Sequence, residues 1–164
     1  MNIWIISDGL DPNMQILAEK LADILDDDFD VNVANSMKIE PIIILDETPE
    51  ILIFGISVYN GVLSLGNIKN WITKFSTLSK ATPINIHKIF NFGIGKGNMS
   101  ETERSWRRFL LKYYKPHQIS KNLFILQSKN FNGTLTKGEE KAMLNYSNYI
   151  INEMNKMTKL KNQR

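Results

Sequence analysis

The 164-residue sequence contains no cysteine, and that absence removes disulfides, thiolate metal centres, iron–sulfur ligation and a cysteine nucleophile together. Histidine is almost as scarce: His87 and His117 are the only two, too few for a histidine-built metal site. Long hydrophobic runs are missing as well. Every apolar stretch is broken by polar residues or glycine well short of the roughly 20 residues that cross a bilayer. The opening Met1-Asn2-Ile3-Trp4-Ile5-Ile6-Ser7-Asp8 has no basic leader and meets an acid directly after its apolar run, so it does not read as a secretory signal. The expectation is a cytoplasmic protein with no stable membrane insertion.

A strong charge imbalance is also lacking. The net charge is +3, and much of the excess sits in Lys156, Lys159, Lys161 and Arg164. No aromatic residues interleave with these charges, so a solvated tail is expected rather than a nucleic-acid surface. The length suits one core. The reading is a single domain over residues 1–155, followed by a basic tail over 156–164 that is expected to be disordered.

What is present is alternation. Ile3, Trp4, Ile5 and Ile6 form a short apolar run, as in a parallel strand buried on both faces. Apolar residues then recur at 14, 17, 18, 21, 24 and 25 with helical spacing, and Asp11-Pro12 supplies an N-cap and a first-turn proline. A second strand is expected at 31–34. The stretch 35–49 reads as an irregular crossover, with room for an extra short strand but not for a long capped helix. Ile51-Leu52-Ile53-Phe54-Gly55-Ile56 is the strongest buried-strand signal. It is followed by a helix carrying Ile68, Trp71, Ile72, Phe75 and Leu78, then by a strand at 88–92. The next helix opens on Ser100 and Glu103, which fit a capping box, and buries Trp106, Phe109, Leu110 and Tyr113. A last strand at 123–127 and a helix from Lys137 to Met154 complete the order. Five strands alternating with helices imply an α/β fold with a doubly wound parallel sheet and helices on both faces.

In such sheets ligands sit beyond the carboxyl ends of the strands. Here that edge comprises residues 7–13, 57–61 and 93–98, all polar or glycine-rich. At these residues the chain resembles the flavodoxin family, within it the branch that includes the flavodoxin-type protoporphyrinogen oxidases. The resemblance rests on Ile5-Ile6-Ser7-Asp8-Gly9 leading into Ile16-Leu17-Ala18, on Val33-Ala34-Asn35, on Ile53-Phe54-Gly55-Ile56-Ser57-Val58-Tyr59-Asn60-Gly61, and on Ser105-Trp106-Arg107-Arg108-Phe109-Leu110. It implies a flavodoxin-like fold, FMN as cofactor, and a redox protein or small-molecule electron acceptor as partner. By position, Ser7, Asp8, Gly9, Leu10, Asp11, Pro12 and Asn13 would cradle the ribityl phosphate. Ser57, Val58, Tyr59, Asn60 and Gly61, with Gly93, Ile94, Gly95 and Lys96, would flank the isoalloxazine ring, Tyr59 stacking on it.

The residues depart from the family pattern in the first loop. Flavodoxins place hydroxyls and glycine at the phosphate, whereas this chain places the carboxylates of Asp8 and Asp11 there, and Pro12 removes an N–H donor. Asp11 as N-cap would itself occupy the anion site. With both carboxylates turned outward, Ser7, Gly9 and the free amides could still hold a phosphate. The oxidases' long basic insertion after the last strand is absent, because Lys129-Asn130-Phe131-Asn132-Gly133-Thr134 leads directly into the final helix. The acidity that helps flavodoxins dock basic partners is absent too. Gly93-Ile94-Gly95-Lys96-Gly97 lacks the spacing of a nucleotide phosphate loop. Arg104, Arg107, Arg108 and His117 read as solvated, as does the acidic run Asp26-Asp27-Asp28. Two functions remain open: FMN-dependent electron transfer or oxidoreduction, and a flavodoxin-fold binding or interaction module that has lost FMN.

Overall fold

A computed structural model describes residues 1–59, 62–63, 66–95, 99–127 and 133–161. The described elements follow the order β1 (Asn2–Ser7), α1 (Pro12–Leu25), β2 (Asp30–Asn35), α2 (Pro41–Asp46), β3 (Ile51–Tyr59), β4 (Val62–Leu63), α3 (Gly66–Ala81), β5 (Lys88–Gly95), α4 (Met99–Leu110), β6 (Ile119–Gln127) and α5 (Lys137–Lys161). Five strands form a parallel sheet in the order β2-β1-β3-β5-β6, and the two-residue β4 pairs antiparallel with the end of β3. This is the doubly wound arrangement expected, with the strand order reversing at the parallel β1/β3 pair.

Alternate residues along the strands feed two cores. Ile3, Ile5, Ile51, Ile53, Phe90 and Phe92 pack under α1 and α5. Trp4, Ile6, Leu52, Phe54 and Ile56 pack under α2, α3 and α4. Because β1 and β3 are buried on both faces, they read as continuous apolar runs rather than as alternating ones.

The irregular crossover expected at 35–49 instead contains α2. Pro41 stands at its first turn, and Ile44 and Leu45 enter the core while Ile42 and Ile43 remain exposed. A run of four apolar residues is ambiguous between strand and helix, and a leading proline favours the helical start. The last strand begins at Ile119, earlier than the expected 123, through a register irregularity between Ile89 and Asn91 of β5. α4 starts at Met99, which places Ser100 within its first turn rather than at its cap. α5 continues past Met154 to Lys161, so residues 156–161 of the expected tail are helical.

Candidate functional site

β1 leaves the sheet at Ser7, while its neighbour β3 runs on to Tyr59. The ladder continues for one more step through the Asp8 N–H, which donates to the Gly55 carbonyl at 3.0 Å. Beyond that step the Ser57 N–H points toward the vanished strand. The Asp8 side chain supplies the acceptor. Its Oδ2 takes the Ser57 N–H at 2.5 Å, and its Oδ1 takes the Ser57 hydroxyl at 3.2 Å and the Leu10 N–H at 3.1 Å. Asp8 is 0% exposed, and that burial pushes its carboxyl above the ordinary value, against the lowering effect of the bonds from Ser57 and Leu10.

The rest of the first loop is committed in the same way. Asp11 caps α1, its Oδ1 accepting the Asn13 N–H at 2.8 Å, and the Met14 N–H donates to the Asp11 carbonyl at 2.9 Å. The N–H groups of Asp8, Leu10, Asn13 and Met14 therefore all have internal acceptors, and Pro12 has none to offer. Ser7 is buried, its hydroxyl directed to Gln15 Oε1 at 2.9 Å with the Ala34 carbonyl at 3.3 Å. It lies in β1, beneath the loop rather than in it. Gly9 has φ +75°, and a Cβ there would collide with the Asn35 side-chain oxygen, which holds the Met37 N–H at 2.8 Å. The glycine fits this loop against the end of β2.

Ser36 completes the clamp, its N–H donating to the Ser7 carbonyl at 2.9 Å and its hydroxyl to the Asp8 carbonyl at 3.1 Å. Gln15, Asn35 and Ser36 thus hold the loop, although only Asn35, as part of Val33-Ala34-Asn35, stood out in the sequence. Asn35 and Ser36 follow the second apolar run directly, and that position at a strand end was the only signal for Ser36. Two carboxylates turned inward and four amides already bonded are the wrong donor set for a phosphate dianion, and the FMN phosphate does not fit this loop as it stands.

The other two segments differ from the expected loops. Ser57 and Val58 are strand residues of β3, both buried, because the strand extends to Tyr59 and turns back through β4. Gly93, Ile94 and Gly95 likewise belong to β5. A Cβ on Gly93 would lie 2.7 Å from the Ile56 carbonyl, and one on Gly95 would strike the Val58 carbonyl. These glycines therefore allow close packing of β5 on β3. Asn60, Gly61, Lys96, Gly97 and Asn98 lie outside the described residues, as does the side chain of Tyr59.

Among the described residues, no group of three His, Cys, Asp or Glu side chains could hold a metal ion, and no helix is long and apolar enough to cross a membrane.

No protein-family model and no curated protein matches the chain by sequence. Solved structures do match it by fold. The flavodoxin 1 of Bacillus cereus superposes with a TM-score of 0.64 at 13% identity, covering 93% of this chain and 98% of that one. A flavodoxin of Streptococcus pneumonia TIGR4 gives 0.66 at 12% identity over 93% of this chain and 99% of its own. The rubredoxin oxygen:oxidoreductase of Desulfovibrio gigas gives 0.67 at 15% identity over 90% of this chain, which spans only 34% of that protein's length. The chain has the flavodoxin-like fold.

Proposed function

We propose that this flavodoxin-like chain is a binding or interaction module that works without FMN. The observation that carries the reading is the first loop, where the Asp8 carboxylate is buried against Ser57 and Leu10 and the Asp11 carboxylate caps α1. The protein's own side chains fill the anion-binding role at the helix start. A carboxylate about 5 Å from a phosphate, at an effective dielectric near 20, costs roughly 3 kcal/mol per phosphate charge. That is about two decades of affinity.

FMN titration tests this directly. The wild-type protein is expected to be colourless as isolated and to leave added flavin fluorescence unquenched. Replacing Asp8→Thr together with Asp11→Gly removes both carboxylates and frees the Leu10 and Asn13 amides, and should strengthen FMN binding by at least about 100-fold. Asp11→Gly alone, which keeps the Asp8 tie between β1 and β3, should gain part of that. FMN retained by the purified wild type would overturn the proposal. It would support the second reading, FMN-dependent electron transfer to a redox protein or small acceptor, which is favoured by the superposition on flavodoxins over 93% of the chain. A folded double variant with no gain in FMN affinity would also count against the carboxylates as the block.

A further inference from the structure

On the face of the sheet opposite α1, the segment that follows β2 lies against the first half of α3. The two enclose an open cleft of about 450 Å³, within the range of small-ligand sites. One wall is a single stripe of α3. Asn67, Asn70 and Lys74 are spaced three and four residues apart and so stack along one helix face. The other wall carries Glu40, with Met37 at the rim, 57% exposed. Ile39, Pro41 and Trp71 supply apolar lining, and the Trp71 ring, 3% exposed, is fixed by its Nε1–H donating to the Ile39 carbonyl at 2.9 Å and by stacking on Phe75 at 5.1 Å. The cleft is therefore built on a rigid base.

Its polar heads are in a different state from those of the β1 loop. The side chains of Asn67, Asn70, Lys74 and Glu40 make no hydrogen bond or ion pair with any described residue, although the Glu40 carbonyl accepts the Ile43 N–H at 3.1 Å. One carboxylate, one ammonium and two amides, each amide both donor and acceptor, face an apolar lining and rim. That set is complementary to a ligand with a cationic group, an anionic group and an apolar side chain.

We propose that this cleft binds a small zwitterion of the free amino-acid class. Its ammonium group lies at Glu40, its carboxylate lies at Lys74 and the Asn70 amide, and its side chain rests on the apolar lining at Met37 and Pro41. Charge-assisted hydrogen bonds at both ends make recognition depend on the two free termini together. The inference does not depend on whether the strand-end loops hold FMN.

The test is binding of the common L-amino acids, each at millimolar concentration, to the full chain. It is followed by the thermal midpoint and by amide chemical shifts. At least one amino acid should raise the midpoint and shift resonances within 36–41 and 67–74. Its N-acetyl and carboxamide derivatives should bind about tenfold or more weakly, and so should the wild-type ligand to Glu40→Gln and to Lys74→Met. Both side chains are exposed, so these variants should fold as the wild type does. Lys80→Met, at the far end of α3, should bind normally. The proposal is overturned if no amino acid binds, if the perturbed resonances lie elsewhere, or if binding survives both the Glu40 and Lys74 substitutions.

Discussion

A single carboxylate at the end of the first strand changes what this edge of the sheet can do. Asp8 was legible as an acid in a place where flavodoxins have hydroxyls, but its direction was not, because the same sequence allows a carboxylate facing solvent or one facing Ser57. The deciding fact is that β3 outruns β1, which leaves the Ser57 N–H in need of an acceptor, and strand lengths are poorly defined by an apolar run. Burial has a further consequence for stability. The carboxyl is raised in the folded state, so between the ordinary aspartate value and the raised one the folded protein holds more protons than the unfolded chain. Stability from this group is present at low pH and falls as pH rises through that window. Asp8→Asn, which cannot ionise, should flatten that part of the profile. Urea unfolding from about pH 4 to pH 7 measures it. An unchanged difference between variant and wild type across that range would show that Asp8 does not titrate as the burial argument requires.

At the scale of the element, Gly93 and Gly95 have a packing role that the sequence did not show. Gly93 and Gly95 alternate at the end of an apolar run, a pattern that suits a ligand loop and a crowded strand equally well, and sequence carries no record of how closely β5 lies on β3. The structure places both within β5, paired with Ile56 and Val58. A methyl group at Gly93 would meet the Ile56 carbonyl and the tip of Ile125 together, and the backbone oxygen cannot rotate away. Gly93→Ala should therefore destabilise the protein by about 1–3 kcal/mol through overpacking. A chemical denaturation midpoint equal to that of the wild type would place the glycine back in a permissive loop. The helices were read more securely, because periodicity and caps act locally. Asp11-Pro12 caps α1 as its sequence indicates. The start of α5 carries a capping box that went unread: the Thr136 N–H donates to Glu139 Oε2 at 2.8 Å, and the Glu139 N–H to Thr136 Oγ1 at 3.3 Å. Its Thr-x-x-Glu spacing was the available signal.

The whole molecule is two cores separated by one sheet, and Asn91 in β5 ties them together. Its side-chain oxygen accepts the Trp106 Nε1–H of α4 at 2.9 Å, and its carbonyl accepts the Tyr146 hydroxyl of α5 at 2.7 Å from the other face. Burial pushes the Tyr146 hydroxyl well above its ordinary value, so it stays a neutral donor across the physiological range. Asn91→Ala strands the buried Trp106 donor and leaves a void, for an expected loss of about 2–4 kcal/mol. Trp4, Trp71 and Trp106 all belong to the core under α2, α3 and α4, so tryptophan fluorescence reports that face alone, while far-ultraviolet circular dichroism reports both. If the sheet couples the two cores, both signals should give one midpoint in the wild type, and Asn91→Ala should lower them equally. A fluorescence transition that moves ahead of the dichroism in the variant would mean that the α2–α4 face can melt while α1 and α5 remain docked. That outcome would make the face carrying the α3 cleft a separately adjustable half of the fold.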